Sequence, residues 1–253
     1  NDYKLATLQG WLAIGHTRYS TTGSSTWRNA QPVYRDTGDG GFALGHNGNL
    51  TNTAALATEA GMLPGVVASD SDLVAELLGR VMAIPPAVAI AEPVPLELPA
   101  STRPGEPADE HNLERALLEV LPLLQGAFSF VLCDVDHLIG VRDPNGFRPL
   151  CLGRLEEGGW VLASETPALD VVGAHFVREL DPGEMVVIDA AGCRSIRPFG
   201  PDRVQPKLCV FEFVYFARPD SRLYGKEVQG ARQRMGELLA EQAPLPADSA
   251  RAA

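Results

Sequence analysis

An α+β fold with largely antiparallel, layered sheets is predicted by three observations. Short apolar runs recur as consecutive hairpins separated by turn residues. A few helical segments interrupt them, one carrying an i, i+3, i+4, i+7 apolar stripe. The chain has 253 residues and is 45% hydrophobic, enough for one large core or for one domain plus part of another. Its net charge of −11 argues against a nucleic-acid-binding surface. No apolar run approaches the ~20 residues needed to span a bilayer, and no signal peptide is visible at the start. Cys133, Cys151, Cys193 and Cys209 are scattered without a CxxC pair, so a zinc ribbon is disfavoured and a reduced, cytoplasmic compartment is expected.

Residues 11–19 read as a buried strand ending in polar groups, followed by a small-residue loop over 20–25. Arg18 stands at that strand end, where ligand groups are often mounted; a surface ion pair is the plainer alternative. His16 reads as a hydrogen-bonded, partly buried histidine without a catalytic role. Gln31-Pro32-Val33 is a loop returning to a strand over 41–45. The chain is organised around the next stretch, Gly45-His46-Asn47-Gly48-Asn49-Leu50. It reads as a short strand, a sharp turn at Asn-Gly, and entry into a helix over about 53–60 that breaks at Gly61 and Pro64. Such a turn aims a backbone N–H and an asparagine amide at one point, which is what an oxyanion needs. An ordinary Asn-Gly hairpin turn is the alternative.

Ser69-Asp70-Ser71-Asp72 opens a stronger helix, with Ser69 or Asp70 as its cap and Val74, Leu77, Leu78 and Val81 as its apolar stripe. Asp70 is either that cap or the partner of a ligand ammonium. Residues 85–110 form an acidic, Pro-rich insertion, too short to be a domain. A helix from Asn112 follows, with Leu117, Leu118, Leu121 and Leu124 on one face, ending at Gly126. Residues 127–133 are a strand that turns at Asp134-Val135-Asp136 and returns over 137–142. Asp143-Pro144-Asn145-Gly146 is a strong turn. Further strands are expected at about 149–153, 159–164, 185–189 and 192–197, with a short helix near 166–172 and a turn at Asp181-Pro182-Gly183-Glu184. Residues 208–216 read as the last strand, broken at Ala217 to Ser221, and a helix runs from about 225 to 242. Cys133 and Cys151 lie in apolar strands as core thiols. No internal repeat is evident.

No P-loop, GxGxxG after a strand, HExxH or GxSxG elbow occurs. What remains are polar residues at the ends of early elements. Arg18 would pair the carboxylate of an α-amino acid, Asp70 its ammonium, and Asn47 with Gly48 a carbonyl oxygen under attack. That is a binding site with an oxyanion hole and no visible nucleophile.

Several motifs carry a family resemblance. Gly15-His16-Thr17-Arg18-Tyr19-Ser20-Thr21-Thr22-Gly23 and Asn29-Ala30-Gln31-Pro32 come first. His46 to Leu50, Ser69 to Asp72 and Arg142 to Leu150 follow, and the most specific is Phe211 to Ser221. In this order they cover nearly the whole chain, which resembles the glutaminase domain of the amidophosphoribosyltransferase family. The stretch at 85–110 is the main departure in length. The resemblance implies an N-terminal-nucleophile hydrolase fold, a four-layer αββα sandwich, incomplete here at both ends. It implies cleavage of glutamine and delivery of ammonia to phosphoribosyl pyrophosphate, giving 5-phosphoribosylamine in de novo purine synthesis. Arg18 would then bind the glutamine carboxylate and Asp70, rather than Asp72, its α-amino group. Asn47 and the Gly48 N–H would form the oxyanion hole, with Tyr19 and Thr21 lining the pocket.

The family's nucleophile is an N-terminal cysteine. Asn1 stands first here, and the segment before Gly15 is too short for the family's opening strands, so a truncated chain is expected. Residues 1–216 would be the glutaminase domain and 217–253 the start of the phosphoribosyltransferase domain. The resemblance implies magnesium and a homo-oligomer for the complete enzyme, and no cofactor in this fragment. In some members the position of Cys209 supplies an iron–sulfur ligand; in others it is a plain thiol. Two rival readings stand beside this one: a non-catalytic glutamine-binding module, and the glutaminase part of another class II amidotransferase. Ala217 to Ser221 disfavours the latter.

Overall fold

The computed structural model describes residues 10–17, 27–37, 40–63, 65, 67–83 and 112–244, the side chains of Arg28 and Asn112 excepted. The strands are β1 (Val33–Arg35), β2 (Phe42–Leu50), β3 (Gly126–Cys133), β4 (Leu138–Arg142), β5 (Cys151–Leu155), β6 (Trp160–Ala163), β7 (Ala174–Glu179), β8 (Met185–Asp189), β9 (Gly192–Ile196), β10 (Arg222–Leu223) and β11 (Lys226–Glu227). The α-helices are α1 (Thr53–Glu59), α2 (Asp70–Met82), α3 (Asn112–Val120), α4 (Thr166–Val171) and α5 (Val228–Gln242).

Two antiparallel sheets form the centre. One has six strands in the order β1-β2-β3-β4-β8-β9; the other has three, β6-β5-β7. Alternating side chains give the large sheet two apolar faces. Leu44, Phe128, Phe130, Leu132, Val141 and Val187 pack against α1, α2 and α3 through Leu56, Leu73, Val74, Leu78, Leu113 and Leu117. From the opposite face Leu138, Val186 and Ile188 meet Leu150, Leu152 and Leu162 of the small sheet. The sheets approach so closely that a Cβ on Gly140 would lie 2.7 Å from Leu162. On the far side of the small sheet, α4 seats Leu169 against Cys151 and Ala174. The layers are therefore α, β, β, α, the sandwich expected from the resemblance.

The apolar stripe of α2 forms as expected. Val74, Leu77 and Leu78 are buried, each contributing about 1.5–3 kcal/mol of transfer free energy. Ser69 caps this helix by accepting the Asp72 N–H at 3.2 Å. The expected helix to Gly126 ends at Val120 and continues as a 3-10 turn over Leu121–Leu123; Leu117, Leu121 and Leu124 are buried, whereas Leu118 is exposed.

Three expectations about the path of the chain are corrected, and one strand is unexpected. Residues 11–17 pair with no strand among the described residues, although Leu12 and Ile14 pack between the sheets. There is no turn at Asn47-Gly48. Strand β2 runs straight through, registered on β3 from Ala43 opposite Cys133 to Leu50 opposite Gly126. Eight consecutive pairings outweigh the local turn preference of Asn-Gly, and the chain turns only after Leu50. The expected strand over 208–216 is instead a π-helical turn over Glu212–Phe216, closed by the Ala217 N–H donating to the Glu212 carbonyl at 3.0 Å. No strand among the described residues is paired with this segment, and its backbone closes on itself. Strand β7 is the unexpected one: Ala-His-Phe-Val-Arg-Glu shows no clean apolar–polar alternation, and His175, Phe176 and Val177 are all exposed. The Pro-rich stretch at 85–110 lies outside the described residues.

Candidate active site

Neighbouring strand residues point to opposite faces, and His46 and Asn47 follow this rule. His46 turns toward α2, with Nδ1 3.3 Å from Ser71 Oγ and 3.5 Å from Asp70 Oδ2. Asn47 turns the other way, toward Ser164 and Arg148. Gly48 follows at φ +148°, and a Cβ there would lie 2.0 Å from the Ala127 carbonyl oxygen. Gly48 and Asn49 are both exposed. This end of the sheet is thus an open strand end whose backbone tolerates only glycine at position 48.

Asp70 begins α2 and reaches the same strand end. Its carboxylate accepts the Ser71 N–H at 2.8 Å and the Leu50 N–H at 3.3 Å. Burial opposes its charge, but the hydrogen bond and charge of His46 and the two backbone donors hold the carboxyl below the ordinary aspartate range. Asp72 is engaged elsewhere: it pairs with Arg35 and accepts the Ala68 N–H at 2.9 Å. Asp70 and Asn47 therefore flank one strand end from its two faces without touching.

Arg18, Tyr19 and Thr21 lie outside the described residues. The segment before them is anchored beside Asn47, because His16 Nε2 donates to the His46 carbonyl at 3.1 Å. From the following loop, Gln31 Oε1 accepts the His46 N–H at 2.7 Å.

The loop Arg142–Pro149 carries functional geometry that sequence reasoning did not assign. Asp143 is fully buried. Its carboxylate accepts the N–H groups of Asn145 at 2.9 Å, Arg148 at 3.2 Å and Phe128 at 3.3 Å. Burial still pushes this carboxyl up. Arg142, also buried, donates to the carbonyls of Leu180, Gly146 and Arg148 at 2.6, 3.0 and 3.0 Å. The loop so fixed presents Arg148 to Asn47 Oδ1, with donors at 2.7 and 3.0 Å. The same guanidinium pairs with Glu212 and lies 5.2 Å from the Phe216 ring centroid. Burial raises the Glu212 carboxyl, against the pull of Arg148. A cavity of about 410 Å³ lies elsewhere, lined by Arg142, Glu179, Asp181, Lys207 and Tyr224.

Cys133, Cys151 and Cys193 supply no activated thiol. Burial pushes Cys151 up to about 12 and raises Cys133 and Cys193, the reverse of what a nucleophile needs. Among the described residues no three His, Cys, Asp or Glu side chains converge as a metal site. An iron–sulfur cluster needs several thiolates, and the described residues do not assemble them around Cys209. No helix among the described residues is long and apolar enough to cross a membrane.

A family model described as a glutamine amidotransferase domain matches residues 109–171. The amidophosphoribosyltransferase of Mycobacterium bovis is 46% identical over 98% of this chain and 43% of its own length. That of Synechococcus elongatus is 43% identical over 96% of this chain and 45% of its own. The solved glutamine phosphoribosylpyrophosphate amidotransferase of B. subtilis, complexed with ADP and GMP, superposes with a TM-score of 0.71 at 32% identity. It covers 91% of this chain, which spans 44% of that structure. Over nearly its whole length the chain is similar to amidophosphoribosyltransferases. It spans under half the length of these relatives. Its αββα layering is the N-terminal-nucleophile hydrolase architecture.

Proposed function

We propose that this chain is the glutamine-binding part of an enzyme that hydrolyses glutamine and passes the ammonia to phosphoribosyl pyrophosphate. The product is 5-phosphoribosylamine, on the route to purines. The observation that carries this reading is the open end of β2, where the Asn47 amide and Gly48 are held rigidly with Asp70 alongside. Asn47 Nδ2 and the Gly48 N–H serve as the oxyanion donors for the glutamine amide carbonyl. Asp70, kept ionised, binds the α-ammonium, and Arg18 the carboxylate. Asp72 is excluded from the ammonium role by its pairing with Arg35. Residues 217–253 are assigned to the start of the transferase domain. In support, backbone donors of Arg218, Arg222 and Tyr224 bind Glu165, Thr166 and Glu179 at 2.8, 3.0 and 2.6 Å, docking that start on the N-terminal end of α4 and the end of β7.

The test uses the intact gene product with either glutamine or free ammonia as nitrogen donor. Arg18→Ala and Asn47→Ala are expected to lower glutamine-dependent product formation by about 10²–10³-fold while sparing the ammonia-dependent reaction. An equal fall with both donors would make these residues structural and refute the assignment.

A further inference from the structure

We infer that Arg148 is a positioning residue for the oxyanion hole: it fixes which end of the Asn47 carboxamide faces the substrate. The inference rests on the proposed glutaminase reading. An asparagine amide has two faces of opposite character, an accepting oxygen and a donating nitrogen. Only the nitrogen stabilises an oxyanion, so a freely flipping side chain would present the wrong end part of the time. A guanidinium has donors and no acceptor. With Arg148 Nε and Nη2 at 3.0 and 2.7 Å, the carboxamide atom between them must be Oδ1. Nδ2 is thereby turned away from Arg148, with Ser164 Oγ at 3.4 Å.

Arg148 is itself held on every side. Its third nitrogen, Nη1, pairs with Glu212, which is 2% exposed. Phe216 lies against the guanidinium at 5.2 Å. Its backbone is pinned by Asp143 through its N–H and by Arg142 through its carbonyl. One planar fork therefore joins β2 to the π-helical turn at 212–216, so the orientation of the oxyanion amide depends on that turn. Lysine cannot reproduce this, since a single ammonium lacks the planar, two-sided geometry.

The experiment measures steady-state glutamine hydrolysis by the intact gene product carrying Arg148→Met, Arg148→Lys, Glu212→Gln, Asn47→Ala and the Arg148→Met/Asn47→Ala pair. Arg148→Met is expected to lower kcat by about 10–100-fold, a fraction of the full loss of an oxyanion donor, with KM for glutamine within about 2-fold. Arg148→Lys recovers part of that loss. The double variant is no worse than Asn47→Ala alone, since the two act as one unit. Should Arg148→Met fail to fold, Glu212→Gln keeps the test, with a smaller fall in kcat that is likewise absent on the Asn47→Ala background. Unchanged kcat in a folded Arg148 variant, losses that multiply in the double variant, or a loss confined to KM overturns the inference. If Asn47→Ala lowers kcat and Arg148→Met does not, the positioning role alone fails. If Asn47→Ala leaves kcat unchanged, the glutaminase reading fails and takes this inference with it.

Discussion

Replacing Gly48 by alanine tests the geometry of the strand end most directly. The new Cβ would lie 2.0 Å from the Ala127 carbonyl oxygen and 2.8 Å from the Phe128 Cα. Both obstacles are backbone atoms of β3, so no side chain can swing aside. Reaching ordinary contact requires the two strands to part by roughly 1 Å in a close-packed interior. The residue must also keep φ +148°, which costs a non-glycine residue on the order of 1–3 kcal/mol. Loosening one or two ladder hydrogen bonds adds about 1 kcal/mol each. The sum is about 4 kcal/mol, or a melting temperature lower by roughly 8–16 °C for a chain of this size. Thermal denaturation of the 253-residue chain, followed by far-ultraviolet circular dichroism, reads this out. Gly230→Ala in α5 is the control: nothing lies within 4 Å of its Cβ position, so a gain of about 0.5–1 kcal/mol is expected from helix propensity. If Gly48→Ala melted within about 2 °C of the parent while remaining folded, the close approach of β2 and β3 would be refuted.

Two further outcomes follow from buried titratable groups. Glu184 is buried and accepts from Arg178 at 2.7 Å, from the Ser195 hydroxyl at 2.6 Å and from the Asp181 N–H at 2.7 Å. Burial works against its charge, but Arg178 and these donors hold its carboxyl below the ordinary value of 4.5. Its folded value is therefore depressed, so its contribution is present above that ordinary value and lost as pH falls through the folded one. Urea unfolding should show Glu184→Gln about 2–4 kcal/mol less stable at neutral pH and less sensitive to acid than the parent; identical acid sensitivity would remove Glu184 from the account. Cys151, with its thiol pushed up to about 12, has a thiolate fraction on the order of 10⁻⁴ at pH 8. It should resist alkylation at that pH in the folded chain and react on unfolding, as mass spectrometry of peptides would report; rapid labelling of the folded chain would contradict its placement between the small sheet and α4.

Much of the fold was legible because it is written locally. The stripe on α2, the Ser69 cap and the turns at Asp134, Asp143 and Asp181 are short-range patterns, and each appears as read. Two of the failures share one cause. Asn47-Gly48 carries a strong local turn preference, yet β3 pairs with every residue around it. Residues 208–216 are apolar enough for a strand, yet no strand among the described residues pairs with them, and the backbone closes on itself. In both cases the outcome depends on a partner far away in sequence, which period and propensity do not contain.

The candidate site divides in the same way. The residues themselves marked Asn47, Gly48 and Asp70 as candidates for holding a polar substrate, and the motif order carried the resemblance to amidophosphoribosyltransferases. Only the tertiary structure decided how they are aimed. Arg148 lies 101 residues from Asn47, and Glu212 a further 64 along the chain. The sequence assigns Arg148 no role; folding placed it between Asn47 and Glu212. The physical reason is that a hydrogen-bond donor acquires a role from the acceptor it meets, and for long-range pairs that meeting is set by the packing of layers.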